Sequence, residues 1–167
     1  MAGFLSKGTK IKTYLKKYKN YSELEQIIYF SEINLIEKLK LSNREIKRLL
    51  YDVYFINDED FLKNQYAVIF KGEILNDLPS LRKDIYLIYL NFQKIFSQQS
   101  FLKELMLYIL THELVHLVRF IRYETDFYLK NKWEEEKRVH IITKEILKDF
   151  KLPYMKEVFS YFDRIYC

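Results

Sequence analysis

His112-Glu113-Leu114-Val115-His116 lies inside residues 101–123, a long apolar stretch without a single Gly or Pro. Leu102, Leu105, Met106, Ile109, Leu110, Leu117, Phe120 and Ile121 recur there at helical spacing, so the stretch predicts a helix from Phe101 to about Tyr123. Ser100-Phe101-Leu102-Lys103-Glu104 supplies a capping start. Leu105, Ile109, His112, His116 and Phe120 form one row, and Met106, Ile109, Glu113 and Leu117 form the neighbouring one. Both histidines and the glutamate therefore fall on the apolar face. Two histidines four apart on a helix point the same way and can reach one zinc ion. The glutamate beside them would cost several kcal/mol if left ionised in an apolar site, and a metal with its water offsets that cost.

The chain has only three histidines, His112, His116 and His140. The third opens a search for further ligands downstream. Trp133 to Phe150 predicts a second helix, on which Glu136, Val139, His140, Thr143, Ile146, Leu147 and Phe150 share one face. Glu136 is the inward member of the triplet Glu134-Glu135-Glu136 and the expected third ligand. Glu135 falls on a slightly rotated face with Val139, Ile142 and Ile146 and stands in reserve. Glu134 groups with Arg138 and Ile141. The plainer account of the triplet is a solvated first helical turn, where acids favour the helix dipole, and it must hold for at least two of the three. His112 and His116 also have a plainer account, as core histidines bonded to backbone or water. His140 is read as a brace for a ligand histidine, an alternative ligand, or plain helix surface.

With these residues in place the chain resembles the gluzincin branch of zinc metallopeptidases. In that family HExxH is followed about twenty residues later by a glutamate ligand on a second helix, and His116 to Glu136 is a step of twenty. It is similar, more distantly, to the ImmA/IrrE-type metallopeptidases, whose E-x-x-A-N-type helix Glu136-Lys137-Arg138-Val139-His140 resembles, with Val for Ala and His for Asn. The resemblance covers residues 101–150. It implies a zincin-like α+β fold: a small mixed or antiparallel sheet packed against the HExxH helix and the glutamate helix. It also implies that the last strand before the helix pairs with an extended peptide.

The rest of the chain fits one domain over residues 1–167. Residues 1–50 read as a helical segment, with capping boxes at Ser22/Glu25 and Ser42/Glu45 starting helices to about Leu39 and Leu50. Residues 51–95 read as the sheet: 52–56, 66–70 and 84–90 are short and rich in β-branched and aromatic residues, with a turn at 76–80. Residues 100–150 hold the two metal-binding helices, and 153–166 a last amphipathic helix with Met155, Val158, Phe159 and Phe162 inward. Fifteen Tyr and thirteen Phe supply ample core material, whereas three Gly and two Pro leave few loops.

Nothing resembles a signal peptide and no apolar run approaches a membrane span, so a cytoplasmic protein without a membrane partner is expected. The single Cys167 cannot form an internal disulfide. The net charge of +5 is concentrated in Lys7, Lys10, Lys12, Lys16, Lys17 and Lys19. That front is read as a solvated face rather than a nucleic-acid surface, since no recognition motif accompanies it.

The expected function is hydrolysis of a peptide or amide bond. His112, His116 and Glu136 hold Zn2+, and Glu113 is the general base that takes a proton from the metal-activated water. His140, Tyr123, Tyr128 and Tyr154 are candidates for the donor that meets the oxyanion. An alternative is a non-catalytic zinc-binding scaffold holding a protein partner, which a closed set of His112, His116, Glu136 and His140 would favour. A third reading, a helical nucleic-acid-binding protein with an accidental motif, expects no metal and salt-dependent binding.

Overall fold

A computed structural model describes residues 21–57, 59–75, 77–78 and 83–167. The lysine-rich front and most of the expected turn at 76–80 lie outside them. The architecture is mixed α+β, with seven α-helices and a three-stranded sheet among the described residues. The chain runs α1 (Tyr21–Lys38), α2 (Asn43–Arg48), β1 (Tyr51–Ile56), α3 (Glu59–Leu62), β2 (Ala67–Ile74), β3 (Lys83–Asn91), α4 (Phe92–Phe96), α5 (Leu102–Ile121), α6 (Lys132–Leu147) and α7 (Met155–Tyr166).

The strands follow from alternation. Tyr51, Val53 and Phe55 of β1 and Tyr86, Ile88 and Leu90 of β3 are buried, while the residues between them are half-buried. β3 lies in the middle of the sheet. It pairs in parallel with β1, from Tyr51 opposite Tyr86 to Ile56 opposite Asn91. It pairs antiparallel with β2, from Ala67 opposite Leu90 to Ile74 opposite Lys83. This corrects the expectation that the last strand before the motif helix offers a free edge: both edges of β3 are occupied, and the outer strand next to the cleft described below is β2.

α5 is the structural axis. Residues 104–112 and 114–119 are buried, because the inner face of the sheet, α1, α6 and α7 surround the helix. Its start differs from expectation. A 3-10 turn, Gln99–Phe101, precedes it, and no side chain caps it, so Ser100 does not play the expected role. Its end is a Schellman turn: Tyr123 N–H bonds Phe120 O and Glu124 N–H bonds Arg119 O, with Tyr123 at φ 57. The capping box at Ser42 and Glu45 forms in full. Ser22, by contrast, is already helical, since α1 includes Tyr21.

Among the described residues no helix is long and apolar enough to cross a membrane.

Candidate metal centre

The periodicity of α5 places His112 and His116 one turn apart on a buried face, 4% and 7% exposed. α6 crosses this face and brings Glu136 between them. His112 Nε2 lies 3.1 Å from Glu136 Oε2, and His116 Nε2 lies 3.4 Å from Glu136 Oε1. Ligand atoms of all three fall within 4.8 Å of one another. Tetrahedral zinc with bonds near 2.0–2.1 Å separates its ligand atoms by roughly 3.3 Å, so both spacings suit one ion. Two histidines and one glutamate are also a donor set that leaves zinc a free position.

The electrostatics point the same way. Burial alone would raise the Glu136 carboxyl, but hydrogen bonds to His112 and His116 hold it well below the usual range. Burial lowers His112 to about 4, against the pull of Glu136, which leaves a neutral imidazole. His116 is also pushed down by burial, yet Glu136, Glu113 and Glu135 outweigh that and its pKa rises. Glu136 thus stays an anionic carboxylate between the two imidazoles. One feature is less favourable: His112 Nδ1 is buried with no hydrogen-bond partner, where a ligand histidine ordinarily donates to an acceptor.

Glu113 follows His112 on the helix and is half-buried at the edge of a cleft of about 630 Å3. Burial pushes its carboxyl up to about 7, with the charge of Glu136 adding to the rise and His116 opposing it. The cleft is bounded by the start of β2 (Ala67, Val68), by the loop after α5 (Phe127, Tyr128) and by α7 (Phe162, Tyr166). Its size is in the range of pockets that enclose a small ligand. Aromatic rings flank the two histidines. Tyr166 stacks on His112 at 5.5 Å and 15°, and Phe120 stacks on His116 at 6.0 Å and 20°.

Glu135 is buried but stands outside the cluster. Arg119 grips it with two bonds, Nε to Oε1 at 2.6 Å and Nη2 to Oε2 at 3.1 Å. Glu134 is exposed.

His140 is fully buried behind His112. Its Nδ1 lies 2.6 Å from the Tyr108 hydroxyl and its Nε2 lies 2.8 Å from Asp163 Oδ1. The bonding pattern assigns an Nε2–H tautomer that donates to Asp163 and accepts from Tyr108. Lys144 in turn donates to both Asp163 oxygens, at 2.7 and 2.9 Å. His140, Asp163 and Cys167 also approach one another within 4.8 Å, but the first two already have protein partners on each polar atom.

Of the expected oxyanion donors, Tyr128 lines the cleft. Tyr123 points away, 81% exposed, and accepts from Arg48. Tyr154 lies outside the cleft, and His140 has both nitrogens engaged. The residues that sequence reasoning missed are Tyr166, Tyr108, Arg119 and Asp163. Tyr166 follows Phe162 by four and Tyr108 precedes His112 by four, so the helical rows already read could have reached both.

Comparison of the chain with protein-family models, characterised proteins and solved structures finds no match.

Proposed function

We propose that this protein is a zinc-dependent metallopeptidase of zincin type, hydrolysing peptide or related amide bonds. One observation carries the reading: His112, His116 and Glu136 converge from two helices onto a single point, with Glu113 beside them on the wall of an open cleft. The succession of small sheet, HExxH helix and glutamate helix agrees with it.

His112 Nε2, His116 Nε2 and a Glu136 oxygen would hold the ion. Zinc at such a site supplies a water acidified toward pH 7 and a positive charge beside the substrate carbonyl. Glu113, next to His112 on the wall of the cleft, accepts a proton at its carboxylate and returns it to the leaving nitrogen. Burial raises the Tyr166 hydroxyl above its ordinary value, so it stays protonated and can donate to charge developing on the carbonyl oxygen. The aromatic flanks of the two histidines keep water from their outer sides.

The non-catalytic scaffold is the reading that would be favoured by His140 as a fourth ligand. The Tyr108 and Asp163 bonds to its two nitrogens weigh against that reading.

The test is metal analysis of the purified protein together with hydrolysis of a mixed fluorogenic peptide library. About one zinc per chain is expected, lost in His112→Ala and Glu136→Ala. Glu113→Gln should keep the zinc and lose cleavage. A wild-type protein without metal, or a Glu113→Gln variant that cleaves at the wild-type rate, overturns the proposal.

A further inference from the structure

We infer that Arg119 is a positioning residue of the metal centre, acting through Glu135 to set the rotation of α6 that presents Glu136 to the two histidines. The inference rests on the metal site proposed above and names the device that assembles it.

Arg119 lies three residues after His116 on α5, and Glu135 immediately precedes Glu136 on α6. The bidentate bond between them therefore joins the two ligand-bearing helices within one turn of a ligand on each side. Both partners are buried, Arg119 at 5% and Glu135 at 8% exposure. The third arm of the same guanidinium, Nη1, donates to Glu124 Oε2 at 2.6 Å. Glu124 sits in the Schellman turn that ends α5, so one side chain also fixes the start of the loop that walls the cleft.

A planar fork constrains more than distance. Two parallel N–H···O bonds define the plane of the Glu135 carboxylate, whereas a single ammonium contact leaves it free to turn. Successive residues on a helix differ by about 100° in direction. A modest rotation of α6 would therefore turn Glu136 out of the gap between His112 and His116. Tertiary packing of Val139, Thr143, Ile146 and Leu147 holds the body of α6. Its first turn carries the glutamates, and there Trp133, Glu134, Lys137 and Arg138 are exposed. At that end the Arg119 fork is a polar anchor beside the contacts of Glu136 itself with the two histidines.

The experiment measures zinc affinity by competition with a chromogenic chelator, with folding followed by circular dichroism in the same samples. Variants are Arg119→Met, Arg119→Lys and the double Arg119→Met/Glu135→Met. The double removes both charges, so it relieves the unpaired carboxylate that Arg119→Met leaves behind. A merely structural pair predicts that the double regains both stability and zinc affinity. A positioning pair predicts that it regains stability yet binds zinc about 10- to 100-fold more weakly, the size of effect seen when a partner of a metal ligand is lost. Arg119→Lys should fall between wild type and the double, and it carries the test if the double does not fold. Wild-type affinity in the double, or in Arg119→Lys where that variant must serve, overturns the inference. A wild-type protein that binds no zinc overturns instead the metal site on which it rests.

Discussion

Replacing Tyr108 by Phe removes one oxygen from the middle of the molecule and tests the wall behind His112. Among the described residues the hydroxyl is the only hydrogen-bond partner of His140 Nδ1, and both residues are buried, Tyr108 at 1% and His140 at 0% exposure. The ring itself should stay in place, stacked on Phe162 at 4.0 Å and 16°. What remains is a buried nitrogen without a partner, which costs about 1–3 kcal/mol. For a chain of this size each kcal/mol moves the melting temperature by about 2–4 °C, so Tyr108→Phe should melt roughly 2–12 °C lower. The assay is thermal and urea denaturation of the metal-free protein, repeated in a His140→Ala background. There no nitrogen is left to lose, and the additional Tyr108→Phe step should cost close to nothing. Nitrogen NMR of the wild type should show a proton on His140 Nε2, held by Asp163, whose carboxyl the Lys144 ammonium and then His140 keep below the usual range. An undiminished Tyr108→Phe effect in the His140→Ala background, or no effect in the wild type, refutes the relay.

Three further outcomes are expected. Zinc at a hundred times its dissociation constant should stabilise the protein by about 2.7 kcal/mol. That corresponds to a melting shift of roughly 5–11 °C that is absent in His112→Ala, and equal shifts in both proteins would count against the site. The Arg122 bond, with those from Ser42, holds the Glu45 carboxyl at about 2, below its unfolded value, so its contribution is complete above about pH 4.5 and fades as pH falls through about 2. Glu45→Gln should therefore melt below wild type at pH 7, and the two curves should meet near pH 2; a gap that does not change with pH contradicts this. Lys40 is exposed at φ 51, in a Schellman turn closed by Leu41 N–H to Ile36 O. Relief of the left-handed strain, about 1–2 kcal/mol, less the unfolded-chain entropy a glycine adds, about 0.4–1 kcal/mol, gives Lys40→Gly a net gain of up to about 1.6 kcal/mol in urea denaturation, and a loss of stability contradicts it.

The fold and site were legible wherever a single helical or strand period sufficed. His112 and His116 fall on a buried face, with Glu113 half-buried beside them, because α5 is apolar on nearly every side, and Glu136 shares a row with Val139, His140 and Thr143. Periodicity could not separate Glu136 from Glu135, since both border the buried face of α6. What separates them is Arg119, sixteen residues earlier in the chain, whose charge removes Glu135 from the competition by pairing with it. The order of the strands was hidden for a related reason. Alternation tells which face of β1 and β3 is buried but not which strands are neighbours, so the central place of β3, parallel to β1, had no local signature. Tyr166 and Asp163 escaped because α7 was read through its apolar residues alone. Yet Met155, Val158, Phe162 and Tyr166 continue one row, and the polar group at its end reaches the cleft because the row before it is buried. An amphipathic pattern thus names the side chains that share a wall, while the partners that orient them come from elements far away in sequence. The pair His112 and His116 needs only the first kind of information; the choice of Glu136 over Glu135, the Arg119 fork and the Tyr108–His140–Asp163 chain need the second.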